Sequence, residues 1–294
     1  MRAAEWLRPR PKRDLGVGEM TSNGASAYVL GHSPRELERL RRQAQLVNPI
    51  TRQYLIEAGI ASGMHVLDVG SGAGDVAFLA AELVGPSGHV VGVDQSFDAL
   101  DLARSRAKEQ LLANVTFRQS KLSAMAFDHQ FDAAIGRYVL CLQPDPAALL
   151  RKISRLVRPG GIVLFHEPDR KQMRSYPPTP TFDKMSEWID ETFGRTGMDV
   201  RMGIKLYSTF VAAGLAGPTM RLHAAIGGAQ ALEEVHFEAD VAITLAAAME
   251  RTGVAAAEEL GADSLVERII QEMSANNSVI VGRAEVGAWT RLSE

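Results

Sequence analysis

Apolar and polar residues alternate along positions 63–168 in blocks that predict a regular succession of strands and helices. Short apolar runs predict strands at 64–69, 89–93, 115–118, 131–135 and 161–166. Between them, apolar positions at helical spacing predict helices near 75–84, 96–112 and 146–157. This alternation is typical of βαβ units, which build a parallel sheet covered by helices on both faces.

Helical patterns dominate on either side of this region. Ser33 to Ala58 predicts two amphipathic helices, separated at Asn48-Pro49, that form a flap lying on the sheet. Beyond residue 168 the pattern predicts further helices at 182–196, 207–213 and 233–275. It also predicts two more strands, at 219–226 and 279–291.

Composition limits the partners and the compartment. The 294-residue chain has a formal net charge of -3, which offers no basic surface for a row of nucleic-acid phosphates. No apolar run approaches the roughly 18 residues that a membrane helix needs. The single cysteine, Cys141, excludes an intramolecular disulfide and, in its apolar setting, predicts a buried, unreactive thiol. We therefore expect a cytoplasmic protein that acts on small molecules, without a nucleic-acid or membrane partner.

A glycine-rich loop follows the first predicted strand. Gly70, Gly72 and Gly74 alternate there after Asp68. Glycines are needed where a ligand lies against the backbone, because a Cβ would collide with it. Twenty residues beyond Gly74 the second strand ends on Asp94, whose carboxylate can accept two ribose hydroxyls. Together these features predict a nucleoside cofactor, although phosphate-binding loops share the glycine spacing.

The residue after the last glycine separates two kinds of cofactor. A dinucleotide-binding loop would place its third glycine at position 75, where this chain has Asp75. An acid at the start of a helix would repel a pyrophosphate, but it suits a cofactor that carries a cation and no phosphate. The loop therefore favours S-adenosylmethionine over a nicotinamide dinucleotide.

Four segments in order resemble the class I S-adenosylmethionine-dependent methyltransferases, especially the branch of the ubiquinone and menaquinone biosynthesis methyltransferases. They read VLDVGSGAG at 66–74, VGVD at 91–94, FDAAIGRYVL at 131–140 and LVRPGG at 156–161. The resemblance implies an α/β fold: a seven-stranded, mostly parallel Rossmann-like sheet with helices on both faces, an N-terminal helical flap and helical cap insertions. The implied division of the chain is 1–20 tail, 21–60 flap, 61–168 cofactor-binding core, 169–205 cap insertion, 206–228 return to the core, 229–278 helical insertion and 279–294 last core strand.

The resemblance also implies which residues bind S-adenosylmethionine. One group would line the methionine half and the adenosine: Asp68, Gly70, Gly72, Gly74, Asp94 and Gln95. At the adenine end the family places an acid where this chain has Lys121, so the contacts would come from the Leu122 backbone or from Ser120 or Ser123. The alternative for Lys121 is a solvated loop lysine. Arg137 would pair with the methionine carboxylate or with a carboxylate on the acceptor, or it forms a structural ion pair. Gln43 of the flap would reach the cofactor, or it belongs to a solvated helix face.

Three residues are candidates for assisting the methyl transfer. Glu167 and His166 end the fifth predicted strand, where ligands bind in open parallel sheets. Neighbouring side chains of a strand face opposite ways, so we favour Glu167 as a proton acceptor, with a structural turn-capping carboxylate as its alternative. For His166 the alternative is a core histidine. Tyr28 of the flap would approach the methyl end of the cofactor, or it anchors the flap.

The resulting hypothesis is a methyltransferase that moves a methyl group to an oxygen, nitrogen or carbon atom of a small, partly apolar metabolite. No cluster has metal-ligand spacing, so we expect no required metal. Two alternatives remain open: a nicotinamide-dependent oxidoreductase, and a noncatalytic S-adenosylmethionine-binding module. A homodimer is also open, without a sequence feature that supports it.

Overall fold

The structure, a computed structural model, describes residues 34–229 and 232–294, with side chains from residue 43 onward except that of Leu232. Strands of this part of the chain join in a single sheet. They are β1 (His65–Val69), β2 (His89–Asp94), β3 (Val115–Gln119), β4 (Phe131–Arg137), β5 (Val157–Asp169), β6 (Arg174–Tyr176), β7 (Thr219–Gly227) and β8 (Val279–Arg291).

The helices begin where capping residues allow. Ser96 and Asp145 cap α3 and α4 by accepting hydrogen bonds from Ala99 N (3.3 Å) and Ala148 N (2.9 Å). The helices are α1 (Pro34–Ala58), α2 (Asp75–Val84), α3 (Phe97–Glu109), α4 (Pro146–Ser154), α5 (Pro180–Arg195), α6 (Met202–Ala212), α7 (Leu232–Thr252) and α8 (Leu265–Asn276). None of them combines the length and apolar character needed to cross a membrane.

The sheet has the order β3-β2-β1-β4-β5-β8, and β6 and β7 also pair with β8. Strands β1 to β5 are parallel, and β8 runs antiparallel to β5. The mostly parallel α/β sheet predicted from the sequence is confirmed. The described residues contain eight strands rather than seven, because the three-residue β6 pairs with the start of β8.

Separate apolar clusters cover the two faces of the sheet. On one face, α4 and α6 bury Leu150, Ile153 and Phe210 against the strands. On the other face, α1 and α2 bury Tyr54 and Leu55 together with the alanines of α2. Because β1 to β5 are parallel, their carboxyl ends lie at the same edge of the sheet. Ligand sites form at this edge in such folds.

The predicted break at Asn48-Pro49 is wrong. α1 is one helix of 25 residues that passes through Pro49. Proline at position 49 removes the backbone donor that would pair with the carbonyl of Gln45. The second half of the helix buries Tyr54 and Leu55 completely. This burial outweighs the local cost of proline, which the sequence pattern alone does not reveal.

Three of the helices that follow β5, namely α5, α7 and α8, form a cap with its own apolar core. Arg170, directly after β5, ties this cap to the sheet. Its guanidinium lies 2.8 Å from Asp190 of α5 and 2.8 Å from Glu238 of α7, and all three side chains are buried. Buried charges need such pairing because desolvation is costly.

Candidate functional site

The glycine-rich loop is fastened to the end of β2. Gly70 N and Ser71 N both donate to Val93 O, at 2.8 and 3.0 Å. Gly72 N donates to Asp94 Oδ2 at 2.9 Å, and Ser96 N donates to Asp94 Oδ1 at 2.9 Å. The structure thus brings the predicted Gly72 and Asp94 into direct contact. Each carboxylate oxygen retains a second lone pair that can accept a hydroxyl.

The loop glycines have different surroundings. A Cβ on Gly72, whose φ is +51°, would meet no atom within 4 Å, so the backbone borders open space there. A Cβ on Gly74 would lie 2.7 Å from the ring of Phe78. Gly72 therefore leaves room for a ligand against the backbone, and Gly74 allows the loop to pack on α2.

The clearest indication of a ligand site at this loop is the buried carboxylate of Asp68. Its side chain is 1% exposed, and its Oδ2 atom has no hydrogen-bond partner among the described residues. The hydroxyl of Ser71 is also buried without a partner there. Burial raises the pKa of Asp68 to about 8, although Arg137 acts in the opposite direction. A buried carboxylate oxygen of this kind suits a donor or cation supplied by a ligand.

The raised pKa of Asp68 predicts a pH-dependent stability. The unfolded chain gives up this proton near the ordinary value of 3.8, whereas the folded protein holds it to about pH 8, so the free energy of unfolding falls as pH rises between these two values and levels off above pH 8. From pH 7 to pH 9 this group should reduce the free energy of unfolding by about 1.4 kcal/mol. Urea unfolding at both pH values checks this. The Asp68→Asn variant should lose this part of the pH dependence, and an unchanged difference would contradict the assignment.

The acid that follows the loop does not face a ligand freely. Asp75 forms a 2.7 Å ion pair with Arg106 of α3, and the same guanidinium donates to Ala73 O at 2.7 Å. The inference that Asp75 repels a pyrophosphate is therefore weakened, because Arg106 balances its charge. Arg106 instead fixes the loop to α3, a role that the sequence pattern did not indicate.

The predicted adenine end lies beside β2 and after β3. Gln95 is exposed, and its carbonyl accepts from Gln119 Nε2 at 3.0 Å. Lys121 and Ser123 are exposed as well, whereas Leu122 is partly buried. Ser123 O accepts a hydrogen bond from Lys152. Ser120 N, directly before them, donates to Asp94 O at 2.9 Å, so this segment begins beside the end of β2. The contacts of these residues with adenine stay predictions.

Arg137 ends β4 and connects the sheet to α1. Its guanidinium donates to Asn48 Oδ1 at 2.8 Å and to Thr51 Oγ1 at 3.0 Å. It also contributes to the electrostatics of Asp68. Gln43 lies on the same helix and is partly buried. Tyr28 lies outside the described residues, so its predicted approach to the methyl group stays a prediction.

Glu167 occupies a structural position. Its side chain is 0% exposed, and its carboxylate accepts hydrogen bonds from Val139 N (2.9 Å), Leu140 N (2.7 Å) and Cys141 N (3.2 Å). Burial raises the pKa of Glu167 to about 7, although the hydrogen bonds from these backbone donors lower it. The geometry does not support our preference for Glu167 as proton acceptor, because both oxygens are enclosed in the turn after β4. Cys141 in that turn is buried, and burial raises the pKa of its thiol, as predicted for an unreactive cysteine.

His166 is fully buried and belongs to a polar network under α1. Its Nε2 lies 2.8 Å from Glu285 Oε2, and its Nδ1 lies 3.1 Å from Thr51 Oγ1. Burial lowers its pKa. Both ring nitrogens are therefore engaged by the protein, which favours the core-histidine alternative over a catalytic one.

Sequence reasoning missed the charged residues of β8. Arg283 and Glu285 are buried in the middle of this strand, 2.6 Å apart between Nε and Oε1. Burial alone would raise the pKa of Glu285, but Arg283 and His166 lower it well below its usual range. The signal was present: two charges inside a strand predicted to be in the core demand partners or a function.

Comparisons with known proteins agree with this architecture. A family model described as a methyltransferase domain matches residues 60–206, half of the 294-residue chain. The chain is 35% identical over 130 residues to the demethylmenaquinone methyltransferase of Lactococcus lactis, covering 44% of this chain and 49% of that protein. It is 36% identical over 121 residues to the arsenite methyltransferase of Aquipseudomonas alcaligenes, covering 38% and 35%. The chain thus spans half or less of the length of these relatives.

Solved structures include proteins with a similar fold. A Bacillus halodurans protein named as a methyltransferase aligns with a TM-score of 0.55 and 17% identity, covering 83% of this chain and 99% of that one. At this identity the likeness concerns the fold alone. The comparisons give no support to the nicotinamide-dependent oxidoreductase alternative. With the family model matching half of its length, the chain belongs to the methyltransferase domain family.

Proposed function

We propose that the protein binds S-adenosylmethionine at the loop after β1 and transfers its methyl group to a small, partly apolar molecule. The observation that carries this proposal is the Oδ2 atom of buried Asp68, which has no partner among the described residues, in a loop whose backbone borders open space at Gly72. A carboxylate in that position suits the positively charged amino group of the cofactor, which has no phosphate to bind.

The described residues fit the two halves of this cofactor. Asp68, Gly70 and Gly72 would hold the methionine half, and Asp94 would accept the ribose hydroxyls with its two remaining lone pairs. When bound, S-adenosylmethionine supplies a methyl group on a sulfonium, which is already a good leaving group. The protein then has to orient the acceptor and exclude water.

Several features support the choice of acceptor. One relative is named for the acceptor demethylmenaquinone, an apolar quinone, which supports a partly apolar molecule. Trivalent arsenic, the acceptor named for one relative, is a soft centre of the kind that thiolates bind. The single cysteine of this chain, Cys141, is only 1% exposed, which favours a carbon-based acceptor. We also propose that the protein acts in the cytoplasm. A homodimer is a separate proposal, which sedimentation analysis tests.

Production of S-adenosylhomocysteine tests the function. The full chain is incubated with S-adenosylmethionine and a set of small hydroxyl, amine and quinol acceptors, and product is quantified against a mixture without acceptor. Acceptor-dependent product supports a methyltransferase. Tight binding of S-adenosylhomocysteine with no turnover of any acceptor would favour the noncatalytic binding module instead.

A further inference from the structure

A second group of charged residues lies next to the loop, at the carboxyl ends of β4 and β5. We name it the Arg283 cluster, and its members are Tyr138, Glu234, Glu238, Arg283 and Glu285. Arg283 donates to Glu285 Oε1 at 2.6 Å and to Tyr138 Oη at 3.3 Å, and it lies 3.6 Å from Glu238 Oε1. Its guanidinium also stacks 4.2 Å from the centre of the Phe237 ring. These contacts fix one cation at the centre of the cluster.

The cluster is continuous with the cofactor loop. Tyr138 follows β4 directly and has a φ of +57°, a conformation that a bulky residue adopts only when its surroundings hold it. The next residue, Val139, packs on the loop: a Cβ on Gly70 would lie 2.7 Å from Val139 Cγ2. The hydroxyl of Tyr138 lies 2.8 and 2.7 Å from the two oxygens of Glu285 and donates its one proton to this carboxylate. The loop and the Arg283 cluster therefore lie next to each other at the same edge of the sheet.

Glu234 differs from the other carboxylates of the cluster. Glu285 and Glu238 are paired with Arg283 or Arg170, whereas Glu234 has no hydrogen bond or ion pair with any described residue. It is only partly exposed, in the first turn of α7. Its Oε1 would lie 2.6 Å from a Cβ on Gly282, so glycine at that position of β8 makes room for this carboxylate. The structure thus accommodates an acid that none of the described residues pairs.

The charges that face Glu234 come from each element packed against it. Arg283 and Glu285 belong to β8, Glu238 to α7, and Arg170 to the segment after β5. Burial raises the pKa of Glu234 to about 7, and Arg283 opposes this shift. The carboxyl group can therefore hold or release a proton near neutral pH, which is the range in which a proton acceptor works best.

We propose that Glu234 faces the methyl acceptor and receives the proton of its hydroxyl group. In this step the O–H bond breaks and the proton moves to a Glu234 oxygen. The acceptor oxygen forms the bond to the methyl carbon, and the carbon–sulfur bond breaks with its electron pair going to sulfur. The proton later passes to water. The neighbouring guanidinium of Arg283 favours a hydroxyl that becomes negative and disfavours a protonated amine. This inference rests on the proposed function.

The test compares Glu234→Gln with Glu233→Gln, an exposed neighbour in the same turn. The probes are catechol and hydroquinone, their dimethyl ethers and aniline, each with S-adenosylmethionine between pH 5.5 and 9. We expect turnover of the hydroxyl probes only, with kcat/KM rising through about pH 7 as the base ionises. Glu234→Gln should lower kcat about 100-fold and remove this rise, while Glu233→Gln keeps both.

Binding of S-adenosylhomocysteine to each variant separates the outcomes. Unchanged binding in Glu234→Gln shows that the variant is folded and that the loss concerns the acceptor. The inference is overturned if Glu234→Gln keeps the wild-type rate and pH profile, if aniline alone is methylated, or if no hydroxyl probe reacts while the wild type binds S-adenosylhomocysteine. Failure of the wild type to bind S-adenosylhomocysteine would instead reject the proposed function.

Discussion

Replacing Glu167 by alanine should lower the free energy of unfolding by about 3 to 5 kcal/mol. The carboxylate accepts hydrogen bonds from three consecutive backbone amides, those of Val139, Leu140 and Cys141. Alanine would leave these amides unpaired in a turn that is shielded from water, since Leu140 and Cys141 are at most 1% exposed. Because the same turn positions Tyr138 and Val139 beside the loop, part of the cofactor affinity should be lost with it.

Urea unfolding at pH 7 measures this effect. Glu187→Ala is the matched control, because Glu187 is an exposed glutamate on α5 and its removal should change stability by less than about 0.5 kcal/mol. Glu167→Gln keeps one acceptor oxygen and should fall between alanine and the wild type. If Glu167→Ala kept full stability and lost only turnover, the catalytic role expected from the sequence would be restored.

The Asp94→Ala variant should bind S-adenosylhomocysteine more weakly by about 1 to 3 kcal/mol, which corresponds to roughly 5- to 150-fold in Kd. Alanine removes the acceptor for two ribose hydroxyls and also the anchor for Gly72 N and Ser96 N. Asp94→Asn separates these effects, because its amide oxygen can still accept from one backbone amide but carries no charge.

Isothermal titration provides the affinities, with Asp98→Ala as the control. Asp98 lies in the first turn of α3, is exposed, and should leave the affinity unchanged. An Asp94→Ala protein that binds with wild-type affinity would show that the ribose lies elsewhere.

The sequence predicted the sheet well because its strands carry a strong local signal. Buried parallel strands appear as short apolar runs, and the observed β2 and β8 begin where the pattern starts. The capping residues Ser96 and Asp145 likewise act locally. The continuous α1 was not predictable from Pro49, because the burial of Tyr54 and Leu55 against the sheet decides it.

For the candidate site, the sequence predicted only the residues whose roles depend on nearby positions in the chain. Gly72 and Asp94 lie in one loop and one strand end, and the fold brings them together as expected. The partner of Asp75 and the roles of Glu167 and His166 depend on contacts between distant segments, such as His166 with Glu285, 119 positions apart. Periodicity contains no information on such pairs. Charges inside a predicted buried strand, as at Arg283 and Glu285, are the one local sign that such a network exists.

The direct test of the cofactor assignment is a titration of the full wild-type chain with S-adenosylhomocysteine and, separately, with NADH. The Oδ2 atom of Asp68, which has no partner among the described residues, and the carboxylate of Asp94 predict saturable binding of S-adenosylhomocysteine and none of NADH. Saturable binding of NADH without binding of S-adenosylhomocysteine would contradict the account.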